Sequence, residues 1–314
     1  MEVDIASEAF RDAARRVSLH TQSTDEDLDY VAQIAALAIA GAGRNRLRVG
    51  ERIPYTKVAA ASRAQAIRVA IRADDLEPLF RLPMTLAPQL RIFLFPIDTP
   101  TIHTASFIQD DAACLFANST GKFDLLACAR ELGLILALTS RKPQLPIANI
   151  QPRSIQSLQG GPREHFCENF AGDLLIPARG LAVALQQVRK SLASKRAELG
   201  DVELLYIARI FGVNFLAACR RCERAGLLPP GGGAALAAHL RDNFGGAEAR
   251  ADQLGIPAAP NVSIPSAGAC ALQWLHDSVR RGEIAIDDIA TATRTDPSFL
   301  GSMYAVGRSL GEFS

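Results

Sequence analysis

The residue pattern predicts an α+β fold: a mainly helical domain holding a small β-sheet, followed by an all-α C-terminal region. Three observations carry this. Residues 91–96, 104–108 and 113–118 are short runs rich in β-branched, aromatic and aliphatic side chains, and they read as strands. Two helix-period runs, over 123–138 and 164–175, follow the strands. From residue 202 the chain reads as helix, tight turn, helix.

Taken in order, residues 5–42 read as helix, with Asp25-Glu26-Asp27 ahead of an alanine-rich apolar run and Gly41-Ala42-Gly43 as a break. The stretch 44–72 is one-sidedly basic: Arg44, Arg46, Arg48, Arg52, Lys57, Arg63, Arg68 and Arg72 stand against Glu51 alone. Such a stripe offers phosphate contacts or simply a solvated face. Pro96 stops the first strand, and Asp110-Asp111 turns the second into the third. Residues 141–161, rich in Pro, Gln and Gly, read as a surface loop, and helix resumes over 181–199. Residues 202–211, the Gly212-Val213-Asn214 corner and 215–225 make a helix-turn-helix-like unit, which 284–306 repeats loosely around Thr295-Asp296-Pro297. A nucleic-acid reading places Asn214 and Arg220 or Arg221 near DNA; the alternative is a packing module.

The composition is that of an ordinary globular chain: 314 residues, 48% hydrophobic and 21% charged, with a net charge of +1 that gives no global drive toward nucleic acid or membrane. The six cysteines are scattered and form no disulfide framework, so a reducing cytoplasm is expected. The acidic start Met1-Glu2-Val3-Asp4 does not read as a signal peptide, so none is expected, and the longest small-apolar run, 31–42, is too short to span a bilayer.

The chemistry concentrates in Ala127-Cys128-Ala129-Arg130-Glu131-Leu132-Gly133-Leu134. This has the layout of a zinc-peptidase helix, H-E-x-x-H, with the glutamate kept and both histidines gone. In that motif two histidines one turn apart bind zinc and the glutamate takes a proton from metal-bound water. Here Arg130 stands at the first histidine position and Leu134 at the second. A second helical run, from Glu164 to Pro177, puts Glu164, Cys167, Ala171 and Leu174 on one face, where the acid calls for a cation.

Together the two stretches resemble the ImmA/IrrE-type metallopeptidase family, which is zincin-like. Its first helix reads A-H-E-x-G-H and a later one E-x-x-A-N-x-F-A-x-x-L-L-x-P. The chain offers Ala129, Glu131 and Gly133 for the first, and Glu164, Cys167, Glu168, Phe170, Ala171, Leu174, Leu175 and Pro177 for the second. The resemblance covers about residues 75–230. It implies a small sheet ahead of the active-site helix, Glu131 as a vestigial general base, Glu164 as the former third zinc ligand and a helix-turn-helix-like segment after Pro177. It also implies a setting in transcriptional regulation, with a helix-turn-helix repressor as the kind of protein partner. The expected division is an N-terminal helical region with the basic stretch (1–74), the peptidase-like domain (75–230) and a C-terminal helical domain (231–314).

No metal or other cofactor is expected. A zinc site needs three or four protein ligands, and arginine does not deprotonate to become one. The Arg130 guanidinium is expected to replace the ion and pair with Glu164, Glu131 or both, which in a buried setting would make Arg130→Ala cost about 3–5 kcal/mol. The alternative is zinc on rearranged ligands drawn from Cys128, Cys167, His165 and the acids, against the commoner reading of the cysteines as small buried hydrophobes. Cys219-Arg220-Arg221-Cys222 reads as two helical cysteines rather than a metal or redox motif, because no second pair completes it. Three functional readings follow: an inactive, partner-binding relative of a peptidase; an active zinc endopeptidase; and a DNA-binding regulator.

Overall fold

A computed structural model describes residues 53–260 with short interruptions, together with isolated positions at 26–35 and 279–288. Most of the expected helix over 5–42, the arginines at 44–52, the Asp110-Asp111 turn and most of the repeat at 284–306 lie outside the described residues. Elements are numbered along those that are described.

The fold is α+β, mainly helical with one small mixed sheet. Helix α1 (Lys57–Ala70) begins where Thr56 Oγ1 accepts a hydrogen bond from the Ala59 amide at 3.1 Å. It buries Ala60, Ala64 and Ile67, the spacing of a single helical face. A short helix α2 (Leu82–Thr85) leads to strands β1 (Ile92–Ile97), β2 (Ile102–Gln109) and β3 (Ala112–Asn118). Sheet order is β1-β3-β2-β4, with β1 parallel to β3 and β2 antiparallel to both of its neighbours. Residues 141–161, expected as loop, contain β4 (Ile147–Pro152). The short Ile147-Ala148-Asn149-Ile150 run suffices because an edge strand needs one partner, and proline is tolerated at its end.

Strand alternation sorts the sheet into two faces. Leu94, Leu115 and Ser106 stand in one register row, Ile92, Ala113 and Ile108 in the next; their apolar members join the main hydrophobic core. Phe95, Phe116 and Ala105 alternate to the other face, where the Phe95 and Phe116 rings stack at 5.9 Å. Helix α3 (Leu125–Thr139) follows β3 and packs on β2 and β3. Asp124 starts it: Oδ1 accepts from the Ala127 amide at 2.9 Å and Oδ2 meets His103 Nε2 at 3.2 Å. Burial pushes this carboxyl up, but the bonds to His103 and the backbone outweigh it and hold it below the usual carboxylate range.

Helix α4 (Pro162–Leu175) crosses α3 at Gly133. A Cβ at 133 would stand 2.7 Å from the Phe170 ring, so glycine is what lets the two helices approach so closely. Helix α5 (Ala178–Ser191) is shorter than the 181–199 expected: at Ala193 the backbone takes φ +49°, and Glu203 caps the next helix through the Gly200 amide. That helix, α6 (Asp201–Phe211), ends at Gly212 in the left-handed region (φ +66°). Asn214 then caps α7 (Phe215–Arg224), which leaves α6 at 107°. Helices α8 (Gly232–Phe244) and α9 (Ala247–Gln253) follow.

The main core runs from Ile53 through Ile256, across both boundaries expected at 74 and 230. Two buried arginines join its distant parts. Arg209 donates from Nη2 to Glu248 (3.0 Å) and Asp252 (2.6 Å), and from Nη1 to the Ile256 carbonyl, tying α9 to α6. Arg68, counted in the basic stripe, is fully buried. It donates to the carbonyls of Leu174 and Glu77, each at 2.6 Å, and of Asp74, holding the end of α4 against α1. Burial pulls this guanidinium below its ordinary value, opposed by the acids Asp75, Glu77 and Asp74. Among the described residues no single helix is long and apolar enough to cross a membrane.

Arg68→Met removes the donors to three carbonyls while keeping much of the volume. It should cost about 3–5 kcal/mol in urea unfolding. A loss no larger than that of exposed Arg241→Met, about 0.5 kcal/mol or less, would contradict the assignment.

Candidate functional site

A cleft of about 620 Å³ opens between α3, α4 and α7, closed at one end by the start of α1. Helix α3 turns Leu126 and Arg130 to it, one turn apart on one face. The next positions on that face, Gly133 and Leu134, are covered: Gly133 meets Phe170, and Leu134 is buried in the core. The place of the first motif histidine therefore borders the cleft, and the place of the second does not line it.

Glu131 faces the other way. It is fully buried and accepts a hydrogen bond from Ser106 Oγ of β2 at 2.6 Å. Ser106 shares the sheet face of Leu94 and Leu115, so strand alternation aims its hydroxyl at the helix. The adjacent residues Arg130 and Glu131 are thus split by helix geometry, arginine to the cleft and glutamate to the sheet.

The cation at 130 finds a different partner from the one expected. Arg130 Nη2 lies 3.8 Å from Glu168 Oε1, and the same oxygen is 3.8 Å from Arg220 Nη1 of α7. Glu164, expected to face Arg130, instead turns back to the start of its own helix, where Oε2 accepts from the Gly161 amide at 3.3 Å. The physical reason is the helix end. Gly161 has no side chain to cap α4, and an acid three residues on satisfies its amide and favours the positive pole. Glu168, one turn along, is the acid the fold brings to position 130.

A third guanidinium completes the cleft wall. Arg224 Nη1 donates to the Glu168 carbonyl (3.1 Å) and to Asn169 Oδ1 (2.7 Å). It lies over Gly172, where a Cβ would collide with it. Burial pulls this group below its ordinary value, with Asp173 opposing. Arg221, its neighbour, is buried: Nε donates to the Ile176 carbonyl at 2.7 Å and Nη2 pairs with Asp173 at 3.2 Å. Of the residues that a nucleic-acid reading places near DNA, Asn214 caps α7, Arg221 holds α7 to α4, and Arg220 borders the cleft.

The donor set at the α3–α4 crossing does not suit zinc. Arg130 is a permanent cation and Leu134 has no donor atom. Burial, reinforced by Asp124 and Glu131, pushes the Cys128 thiol well above its ordinary value; burial and Glu131 push Cys167 up to about 12. His165, the other rescue ligand, is exposed at the cleft rim. Among the described residues no three His, Cys, Asp or Glu side chains gather as metal ligands.

Sequence reasoning singled out Arg130 and Arg220 but did not bring them to one carboxylate, and it missed Arg224 and Ser106. Glu168 was named within the second motif but given no role. No known family model matches the chain, and no curated protein matches it.

Two measurements follow. Arg130 and Glu168 are partly exposed and 3.8 Å apart, so Arg130→Ala should cost about 0–1 kcal/mol rather than the larger penalty of a buried pair. A drop above about 3 kcal/mol in chemical denaturation would restore the buried-pair view. Separately, burial pushes Cys219 up to about 12 and Cys222 to about 11. Iodoacetamide at about pH 8 should leave both unlabelled in the native protein and label both in urea, since the thiolate is the nucleophile. Rapid native labelling, read by peptide mass spectrometry, would count against an inert pair.

Proposed function

We propose that this chain is a zincin-like, ImmA/IrrE-type pseudo-metallopeptidase: a protein that keeps the cleft of a peptidase and uses it to hold a protein partner in transcriptional regulation. One observation carries the reading. At the place of the first metal-binding histidine stands a guanidinium, next to the acid that α4 contributes, while the glutamate of the motif is turned into the sheet toward Ser106. Water activation needs a bound metal ion, an open coordination position and a base beside it. In this chain the first place is cationic, the second is leucine, and the base is bonded to a serine.

The arrangement of elements supports the resemblance: a small sheet precedes the motif helix, a second helix crosses it, and a helix-turn-helix-like pair follows. The 107° angle between α6 and α7 suits a helix-turn-helix. The use of that pair as a packing module is favoured over DNA contact, because Arg221 and Asn214 are engaged within the protein. The partner is then a protein segment, of which a helix-turn-helix repressor is the kind the resemblance implies.

Elemental analysis of purified protein after incubation with zinc, beside a peptidase assay on unfolded casein with and without chelator, tests this. The parent should hold well under one equivalent of zinc and release no peptides. The Arg130→His/Leu134→His double variant should gain zinc. One equivalent of zinc and chelator-sensitive cleavage by the parent would make it an active zinc endopeptidase instead.

A further inference from the structure

The cleft has more positive charge than the protein itself neutralises. Lys57, Arg130, Arg220 and Arg224 border it, against the carboxylates Glu168 and Glu223. Glu223 is engaged elsewhere: its Oε1 accepts the Gly233 amide at 2.8 Å, at the start of α8. Glu168 is left to serve both Arg130 and Arg220, and at 3.8 Å from each it forms a close hydrogen bond with neither. Arg220 is largely exposed and Arg130 partly so, which leaves their terminal N–H groups open to an incoming acceptor. A guanidinium offers five N–H groups in a planar fork that matches a carboxylate.

The remaining wall is apolar. Tyr55, Leu126, Phe166 and Val213 line it, and the Tyr55 and Phe166 rings lie 5.8 Å apart. A volume of about 620 Å³ is too large for an inorganic anion alone and suits a few residues of peptide.

We propose that the cleft is a receptor for an acidic peptide segment of the partner: one aspartate or glutamate side chain flanked by apolar residues, its carboxylate held by Arg130 and Arg220 and its neighbours against Tyr55 and Leu126. The proposal rests on the partner-binding reading above and names the chemistry of what is bound. Glu168 is the internal stand-in. It holds the two guanidiniums ready and yields them to the incoming carboxylate, so charge complementarity sets the preference for that segment.

Fluorescence polarisation with labelled, amidated heptapeptide libraries tests this, using a fixed central glutamate, glutamine or phosphoserine between randomised apolar positions. The glutamate library should bind the full-length protein about tenfold or more tighter than the glutamine library, as expected for a charge-assisted hydrogen-bonded pair. The preference should fall with added salt. Arg220→Gln, at an exposed position that folding does not depend on, should abolish most of it, and Glu168→Gln, which removes the internal competitor, should strengthen binding. Equal binding of glutamate and glutamine peptides, or an unchanged preference in Arg220→Gln, overturns the acidic-segment proposal while leaving a partner-binding cleft. A stronger response to phosphoserine than to glutamate makes the ligand a phosphopeptide and also overturns it. 3-Phenylpropionate, matching the peptides in a parallel displacement assay, makes the site one for small acids and overturns the peptide assignment. Zinc-dependent cleavage of the libraries removes the underlying reading, and the proposal with it.

Discussion

The crossing of α3 and α4 at Gly133 is the constraint on which the site depends. With hydrogen in place of a side chain, the backbones approach until the Phe170 ring rests on Gly133. That contact fixes the rotation of α3 about its axis. Leu134 is driven into the core, Glu131 is aimed at Ser106 on β2, and Arg130 is left at the cleft edge beside Glu168. Each of these placements follows from a 3.6-residue period once one point of contact is set. The sheet plays the matching part from below, because strand alternation puts the Ser106 hydroxyl, rather than an apolar side chain, under the one acid α3 buries.

Much of this was readable from residue order. The three strands and both motif helices have clean periods, and their positions agree with the structure to within a few residues. Strand β4 was not legible, because its first four residues sit in a Pro- and Gln-rich context and its pairing to β2 is a tertiary choice. Arg68 looked like one cation in a stripe. Nothing in a sequence reveals that three main-chain carbonyls will gather around it, since carbonyls belong to every residue alike. The partner of Arg130 was misjudged for a related reason. Glu164 and Glu168 lie one turn apart on the same face, and only the position of the α4 terminus decides which acid caps the helix and which reaches the cleft.

The arginines of the chain divide by what they touch. Arg68, Arg209 and Arg221 are buried and bound to carbonyls or acids, and they hold together α1, α4, α6, α7 and α9. They work as polar rivets, their long stems covered and their terminal nitrogens bound to carbonyls or acids. Arg130 and Arg220 are partly exposed and share one acid at long range. Charge alone does not separate these two groups. Their neighbours do, which is why a basic balance in a stretch of sequence says little about nucleic acid until burial is known.

An arginine at a ligand position has a consequence that a neutral replacement would not. On the reading proposed here, losing the zinc ion takes away the cation beside Glu168, the acid that α4 brings to position 130. A neutral side chain at 130 would leave that place without a cation. A guanidinium supplies one without needing a captured ion, because its charge is covalently part of the chain. It also reverses the chemistry of the cleft. Zinc accepts electron pairs from its ligands and then from water; a guanidinium can only donate hydrogen bonds. On that reading, the same fold passes from a site that activates water to one that recognises a carboxylate.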